Sequence, residues 1–258
     1  MTERPPVHGP WPEPPELPLP VIMVQRWTDA VFLHWRIPEA LAAAQIPADV
    51  VPDLFDGSAW VGLIGFRMQG AGLGRGPGIP YFGNFNEINV RLYSRGPDGT
   101  RGVVFLSLDA SRLAVVLAAR SAGIPYIWSR TGFTQAPADA ADRSDRSIGY
   151  SVHRFQGGPR SDFAVSPEFD VEATDPLSVH LTARFGLHTR FRGRTLYVPN
   201  THGPWPLHRA RVTALEDQLV QAAGIEVAGP PESVLFSPGV RTAFGRPQVL
   251  EQPRWQQL

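Results

Sequence analysis

The stretch "FNEINVRLYSRGPDGTRGVVFLSL", residues 85–108, reads as two strands joined by a turn. Runs rich in β-branched and aromatic residues flank Arg95–Thr100, and the Asp98-Gly99 step is a hairpin signal. With a period of two, Asn86, Ile88, Val90 and Leu92 share one face of the first strand. Phe85, Glu87, Asn89, Arg91 and Tyr93 share the other. The first set can pack on a core. The second is a polar row between aromatics, with Glu87 and Arg91 about 13 Å apart along the strand, too far to pair directly but suited to line two ends of a pocket. Two readings stay open: a face turned to solvent, as on half of any antiparallel sheet, or the wall of a binding site.

Working outward, "VIMVQRWTDAVFLHWRIP" and "SAWVGLIGFRMQG" are strand-like, and "PEALAAAQIPADVVPD" is a short helix stopped by prolines. A helix is expected over roughly 108–121, then strands in "RSIGYSVHRF", "DFAVSPEF" and "TLYVPNT". "DPLSVHLTARFGL" reads as a helix with Asp175 as cap and Pro176 in the first turn. "PWPLHRARVTALEDQLVQAAGI" is part strand or helix, and "SVLFSPGVRTAFG" closes the domain. Strands outnumber helices and no βαβ period appears, which predicts a mainly antiparallel sheet, closed or sandwiched. The simplest partition is a proline-rich disordered tail over 1–20, one domain over 21–250 and a short C-terminal tail over 251–258. The pentapeptide "HGPWP" stands in that tail (His8–Pro12) and again at His202–Pro206. It is either coincidence between proline-rich stretches or a tail copy docking where the internal copy sits, on a neighbouring subunit of a homo-oligomer.

Composition excludes several chemistries. The 258 residues carry no net charge, so no basic excess argues for nucleic acid. No run has the roughly 18 apolar residues of a membrane helix and no signal peptide is legible at the start, so a cytoplasmic protein off the membrane is expected. There is no cysteine, hence no disulfide, thiolate nucleophile or cysteine metal site. All 24 basic residues are arginine, so no lysine amine exists for Schiff-base chemistry. The loop "GAGLGRGPGIPYFG" fits neither a dinucleotide fingerprint nor a P-loop. The seven histidines show no zinc spacing, and no G-x-S-x-G elbow is present, so neither a cofactor nor a metal is expected.

In the expected helix Asp109, Leu113, Val116, Leu117 and Arg120 fall on one stripe. Arg120 therefore either needs a buried partner or ligand, or snorkels outward from the last turn. Gly123 and Pro125 stop the helix in "GIPY", a tetrapeptide also found at Gly78–Tyr81. His34 lies among apolar and aromatic residues in "FLHWRIP", as a satisfied core histidine or a group facing the site.

The succession "FLHWRIP", "FDGSAWVGLIGFRM", "FNEINVRLY", "GVVFLSLDASRLAVVLAARSAGIPY", "HGPWPLHRARV" and "FSPGV", spanning Trp27 to Val240, resembles the YqjF-like family of the acetoacetate-decarboxylase-like superfamily. The resemblance implies a mainly β fold with a few helices, a closed antiparallel barrel or cone around a central pocket. It implies that Glu87 stands for the pocket carboxylate of the decarboxylases, and that their Schiff-base lysine falls on Tyr126. An imine decarboxylase is therefore not expected. The resemblance implies instead a small-molecule pocket protein, with lyase- or isomerase-type acid/base chemistry on a carbonyl or keto-acid compound, such as enolisation, hydration or cyclisation. Glu87 and Tyr126 would be catalytic, and Asn89, Arg91, Arg120 and His34 would bind substrate. The other reading is a non-catalytic protein for a small acyl or apolar ligand.

Overall fold

The structure is a computed structural model and describes residues 12–121, 123–136, 147–155 and 157–250. Its elements in chain order are β1 (Met23–Ile37), α1 (Glu39–Ala43), β2 (Val51–Pro52), β3 (Ala59–Leu73), β4 (Phe85–Arg95), β5 (Arg101–Ala110) and α2 (Leu113–Ser121). There follow β6 (Tyr126–Gln135), β7 (Ile148–Arg154), β8 (Arg160–Glu172), α3 (Pro176–Thr182), β9 (Gly186–Phe191) and β10 (Arg194–His202). β11 (His208–Asp217), α4 (Leu219–Ala222), β12 (Ser233–Phe244) and β13 (Gln248–Val249) complete the chain.

β4 and β5 pair antiparallel from Arg95 and Arg101 inward. Their turn has Gly99 at φ 85°, a left-handed position open to glycine, and the Thr100 hydroxyl donates to Asp98 at 2.6 Å. The strands form one mostly antiparallel sheet that closes on itself in two ways. One ring runs β5, β6, β7, β8, β11, β12, β1, β3, β4 and back to β5. The second runs β5, β9, β10, β12, β1, β3, β4 and back. Strands β12, β1, β3, β4 and β5 are therefore a wall shared by two closed rings, and both of its faces are interiors. This explains why "SAWVGLIGFRM" is apolar at nearly every position without alternation. A mainly antiparallel closed β structure with few helices was expected from the sequence, and that is the architecture found.

The first ring is filled by Val31, Leu33, Val61, Leu63, Ile88, Val90 and Leu92 from the wall, facing Ile148, Tyr150, Val152, Phe163 and Val165 of β7 and β8. The second holds two aromatic-rich clusters. Phe32, Ile64, Phe66, Phe85 and Trp205 belong to one, and Trp60, Tyr93, Leu181, Leu187 and Phe244 to the other.

The sequence reading needs correction at two places. The helix expected over 108–121 begins only at Leu113, and Leu108–Ala110 belong to β5. There Asp109 is fully buried and held by a bidentate pair of 2.8 Å bonds from Arg154 and a 2.6 Å bond from Ser129. The absence of a βαβ unit was the second misreading, since α2 links β5 to β6, which run parallel. β5 also pairs parallel with β9. α3 starts on Asp175, whose carboxylate accepts from the Ser178 amide at 3.0 Å, with Pro176 in its first turn as read from the sequence. Residues 12–20 form neither helix nor strand, whereas most of the His8–Pro12 motif and residues 251–258 lie outside the described residues. No described helix is long and apolar enough to cross a membrane.

Candidate functional site

β4 sends Glu87, Asn89, Arg91 and Tyr93 into the second ring, and three of these are almost wholly buried: Glu87 is 3% exposed, Asn89 1% and Tyr93 2%. The polar face is thus an interior and not a solvent face. Glu87 lies opposite Phe66 on one side and the small Ala110 on the other, in a setting where apolar groups dominate. Burial pushes its carboxyl up to about 7, although hydrogen bonds from Tyr126 and Asn89 and the Arg91 charge pull the other way.

The second GIPY delivers Tyr126 to this carboxyl. Gly123 at φ 81° receives the chain from α2, its amide donating to Arg120 O at 3.0 Å and that of Ile124 to Ala119 O at 3.1 Å. This is the double bond pattern that closes a helix on glycine. Pro125 cannot continue the helix, and its carbonyl accepts from Leu108 at 3.1 Å, which starts the parallel pairing with β5. Tyr126 is then in register with Leu108, and its hydroxyl donates to Glu87 Oε2 at 2.5 Å. Burial first, then the Glu87 charge and bond, raise the phenol well above its ordinary value, so it keeps its proton. Asn89 Nδ2 donates to Glu87 Oε1 at 3.3 Å, while Asn89 Oδ1 is buried without a donor.

One pleat further along β4 lies a second group, made possible by a missing side chain. His34 on β1, Gly62 on β3 and Arg91 on β4 are consecutive partners across the wall. A Cβ at Gly62 would stand 3.0 Å from His34 Cδ2 and 3.1 Å from Tyr93 Oη. Glycine leaves room for Tyr93 Oη to meet His34 Nε2 at 2.6 Å and to accept from Arg91 Nε at 3.2 Å. Burial, then the Arg91 and Arg184 charges, lower the His34 pKa well below its ordinary value. The neutral ring and the Tyr93 hydroxyl share one hydrogen bond at Nε2, and His34 Nδ1 is buried without a partner.

A third group closes the far end. Arg184, 4% exposed, donates through Nη1 to Asp53 and through Nε to His180 O at 2.7 Å. Arg101 donates to Asp53 at 2.7 Å and to His180 Nδ1 at 2.7 Å. Burial first, then the arginine charges, push His180 down to about 3, so the ring is neutral with its proton on Nε2, facing Asp53 O at 3.2 Å. Burial raises the Asp53 carboxyl, but Arg184 and Arg101 outweigh it and the net shift is downward. The guanidiniums of Arg91 and Arg184 lie 5.4 and 4.9 Å from the Tyr93 ring and link this group to the second.

The fold therefore brings together Glu87, Asn89, Arg91, Tyr126 and His34. It leaves out Arg120. Within α2 only Val116 is fully buried, Leu113 and Leu117 are 43% and 59% exposed, and Arg120, one turn beyond Val116, is exposed as well. The helix packs through Val116 with Val115 half-buried beside it, so its apolar stripe says little about where the next turn points. Arg184, Asp53 and His180 escaped the sequence reading, and Tyr93 was read only as an aromatic on the polar face of β4. Asp53 and Arg184 are 131 positions apart, and only "TARFGL", where an arginine follows a helix end among apolar residues, hinted at a buried cation. Among the described residues no three His, Asp or Glu side chains converge as metal ligands.

The closed two-ring β structure has the acetoacetate-decarboxylase-like fold. The chain matches the enduracididine biosynthesis enzyme MppR complexed with pyruvate at a TM-score of 0.62, with 14% identity over 90% of this chain and 92% of that one. Acetoacetate decarboxylase from Legionella pneumophila matches at a TM-score of 0.62, with 13% identity over 95% and 93%. At such identities the likeness speaks for the fold. The chain itself belongs to DUF2071, a family described as uncharacterized conserved proteins, whose profile covers residues 24–241. It is 30% identical to the uncharacterized protein YqjF of Bacillus subtilis (strain 168) over 213 residues, 82% of this chain and 84% of that protein.

Proposed function

We propose that the second ring is a small-molecule site in which Glu87 and Tyr126 carry out lysine-free acid/base chemistry on a small carbonyl or keto-acid compound. The observation that carries this reading is the 2.5 Å bond between a buried carboxyl poised at about 7 and a phenol that stays protonated. A general acid or base works best with a pKa near the working pH, and the setting of Glu87 supplies that. In the simplest reaction, enolisation, ionised Glu87 takes a proton from the carbon beside the carbonyl. The C–H bond breaks, its electron pair moves into the carbonyl as an enolate, and the proton rests on the carboxyl. Neutralised Glu87 then holds the Tyr126 hydroxyl less strongly, which frees that donor for the enolate oxygen. Arg91, whose charge is felt at Glu87 and His34, is the cation for a substrate carboxylate. Return of the proton to carbon completes the cycle. The likeness in fold to an enzyme complexed with pyruvate and to an acetoacetate decarboxylase supports a keto-acid ligand.

The test is deuterium uptake at the carbon beside the carbonyl in 2-oxo and 3-oxo acids, followed by NMR in D2O. Wild-type protein should accelerate exchange, Glu87→Gln should lose it by about 100-fold or more, and Tyr126→Phe should slow it less. If ligands bind yet no exchange occurs with any of them, the site is a non-catalytic binding site and the enzymatic reading falls.

A further inference from the structure

The charges and donors of the second ring do not balance. Of the two acidic groups there, Asp53 is the one paired directly, shared by Arg184 and Arg101, while the Arg91 charge reaches Glu87 without an ion pair. The Arg101 side chain is 42% exposed and water can serve it, but that of Arg184 is 3% exposed. Among the described residues Arg91 has no ion pair: it donates to Tyr93 Oη and, through Nη2, to Leu181 O at 3.1 Å. Arg184 bonds the preceding carbonyl, His180 O, so the two guanidiniums reach neighbouring carbonyls at the end of α3, and each lies near the Tyr93 ring.

Asn89 Oδ1 is an acceptor without a donor, but the unpaired donors have the same sense as the charges. Arg184 Nη2 is buried with no acceptor, and so are the indole N–H groups of Trp27 and Trp205. Those two rings stack at 5.8 Å; Trp205 packs edge-on against Phe32 at 5.2 Å, and Arg91 lies 5.7 Å from the Phe32 ring. A buried donor without an acceptor costs stability, and an uncompensated buried charge costs more. A fold that keeps several of them in one interior has built a place for a group rich in acceptors.

We propose that Arg184, beyond Arg91, forms an oxyanion subsite for a second acidic group of the ligand, so that the compound handled at Glu87 and Tyr126 is an oxo-diacid and not a monoacid. This rests on the keto-acid reading of the site and narrows it. The second carboxylate sits on Arg184 Nη2, while Arg91 keeps the carboxylate of the keto acid. The ketone end lies toward Glu87, whose Cα is about 13 Å along the strand from that of Arg91.

The experiment is calorimetric titration of the full chain with 2-oxoglutarate and 2-oxoadipate against the monoacids of equal length, 2-oxopentanoate and 2-oxohexanoate. At least one diacid should bind ten-fold or more tightly than its monoacid partner. Arg184→Lys keeps a cation for Asp53 and loses Nη2, and it should erase the preference while the monoacid affinity stays within two-fold. Circular dichroism checks that the variant folds, and the wild-type comparison needs no variant at all. Equal binding of monoacid and diacid overturns the subsite and leaves the keto-acid site standing. If none of the four binds, the keto-acid reading falls and takes the subsite with it.

Discussion

The two faces of β4 belong to the same eleven residues and are both interiors, yet they obey different rules. On one, Ile88, Val90 and Leu92 are wholly buried among the side chains of the first ring, and nothing there asks for a partner. On the other, Glu87, Asn89 and Arg91 hold a carboxyl displaced from its ordinary pKa, an amide oxygen without a donor and a cation without a carboxylate. A folding domain gains from the first face. The second costs stability, and costs of this kind persist where a ligand is to be met.

The largest expected effect breaks the first face alone. Leu92→Ala removes a side chain with no exposure and should cost about 2–5 kcal/mol in denaturant unfolding. Diacid selectivity should survive in the fraction that stays folded. Loss of selectivity in parallel with stability would mean that the wall does not separate the two interiors.

Next in size is a pH effect confined to the second face. The Glu87 carboxyl rises from 4.5 to about 7, so between those values the folded protein holds a proton that the unfolded chain has released. Stability from this group is complete below pH 4.5 and is lost as pH rises through 7, by about 3 kcal/mol in all. The lowered His34 works in the opposite sense, adding stability as pH rises toward 6.5, so the total curve is a poor witness. The difference between wild type and Glu87→Gln isolates the carboxyl. Unfolding free energies measured from pH 4 to 8 should show the variant gaining on wild type as pH rises, and a flat difference would refute the buried-carboxyl picture.

The sequence made the alternation of β4 legible, and with it the identity of every polar group on that strand. Whether the polar face met water or a second interior was not legible, because period two reports only that faces differ. Closure is decided by β9 and β10, roughly a hundred residues later, where the pairing of Asn200 with Phe244 turns the sheet back on itself. Resemblance to a known family supplied what periodicity lacked, and the structure agrees with the closed fold it implied. The helical stripe that drew in Arg120 failed for a related reason. A 3.6-residue period finds a face but not the length over which that face is covered, and α2 is covered around Val115 and Val116 but not at Leu113, Leu117 or Arg120. The substitute, Arg184, was beyond sequence reasoning because its partners Asp53 and Tyr93 come from distant strands and loops.

The smallest effects sharpen the comparison most, because they change one methyl group on each face of the same strand. Gly65 and Gly62 are both on β3. A Cβ at Gly65 would stand 2.6 Å from the Tyr150 ring and 2.9 Å from Phe163 inside the first ring. Those rings are buried and rigidly packed, so Gly65→Ala should cost about 1–3 kcal/mol and leave ligand affinity alone. At Gly62 the contacts are looser, 3.0 Å to His34 and 3.1 Å to Tyr93, so a shift of a few tenths of an ångström relieves them. The penalty should be about 1 kcal/mol, near the lower end for overpacking. That shift, however, moves the hydroxyl that orients Arg91, and the guanidinium loses the acceptor fixing its plane. Gly62→Ala should therefore weaken diacid binding several-fold at nearly native stability, the reverse of Gly65→Ala. Equal affinities in the two variants would show that the His34–Tyr93–Arg91 chain only fills space. Opposite responses from two alanines three residues apart would assign packing to one face of the wall and recognition to the other.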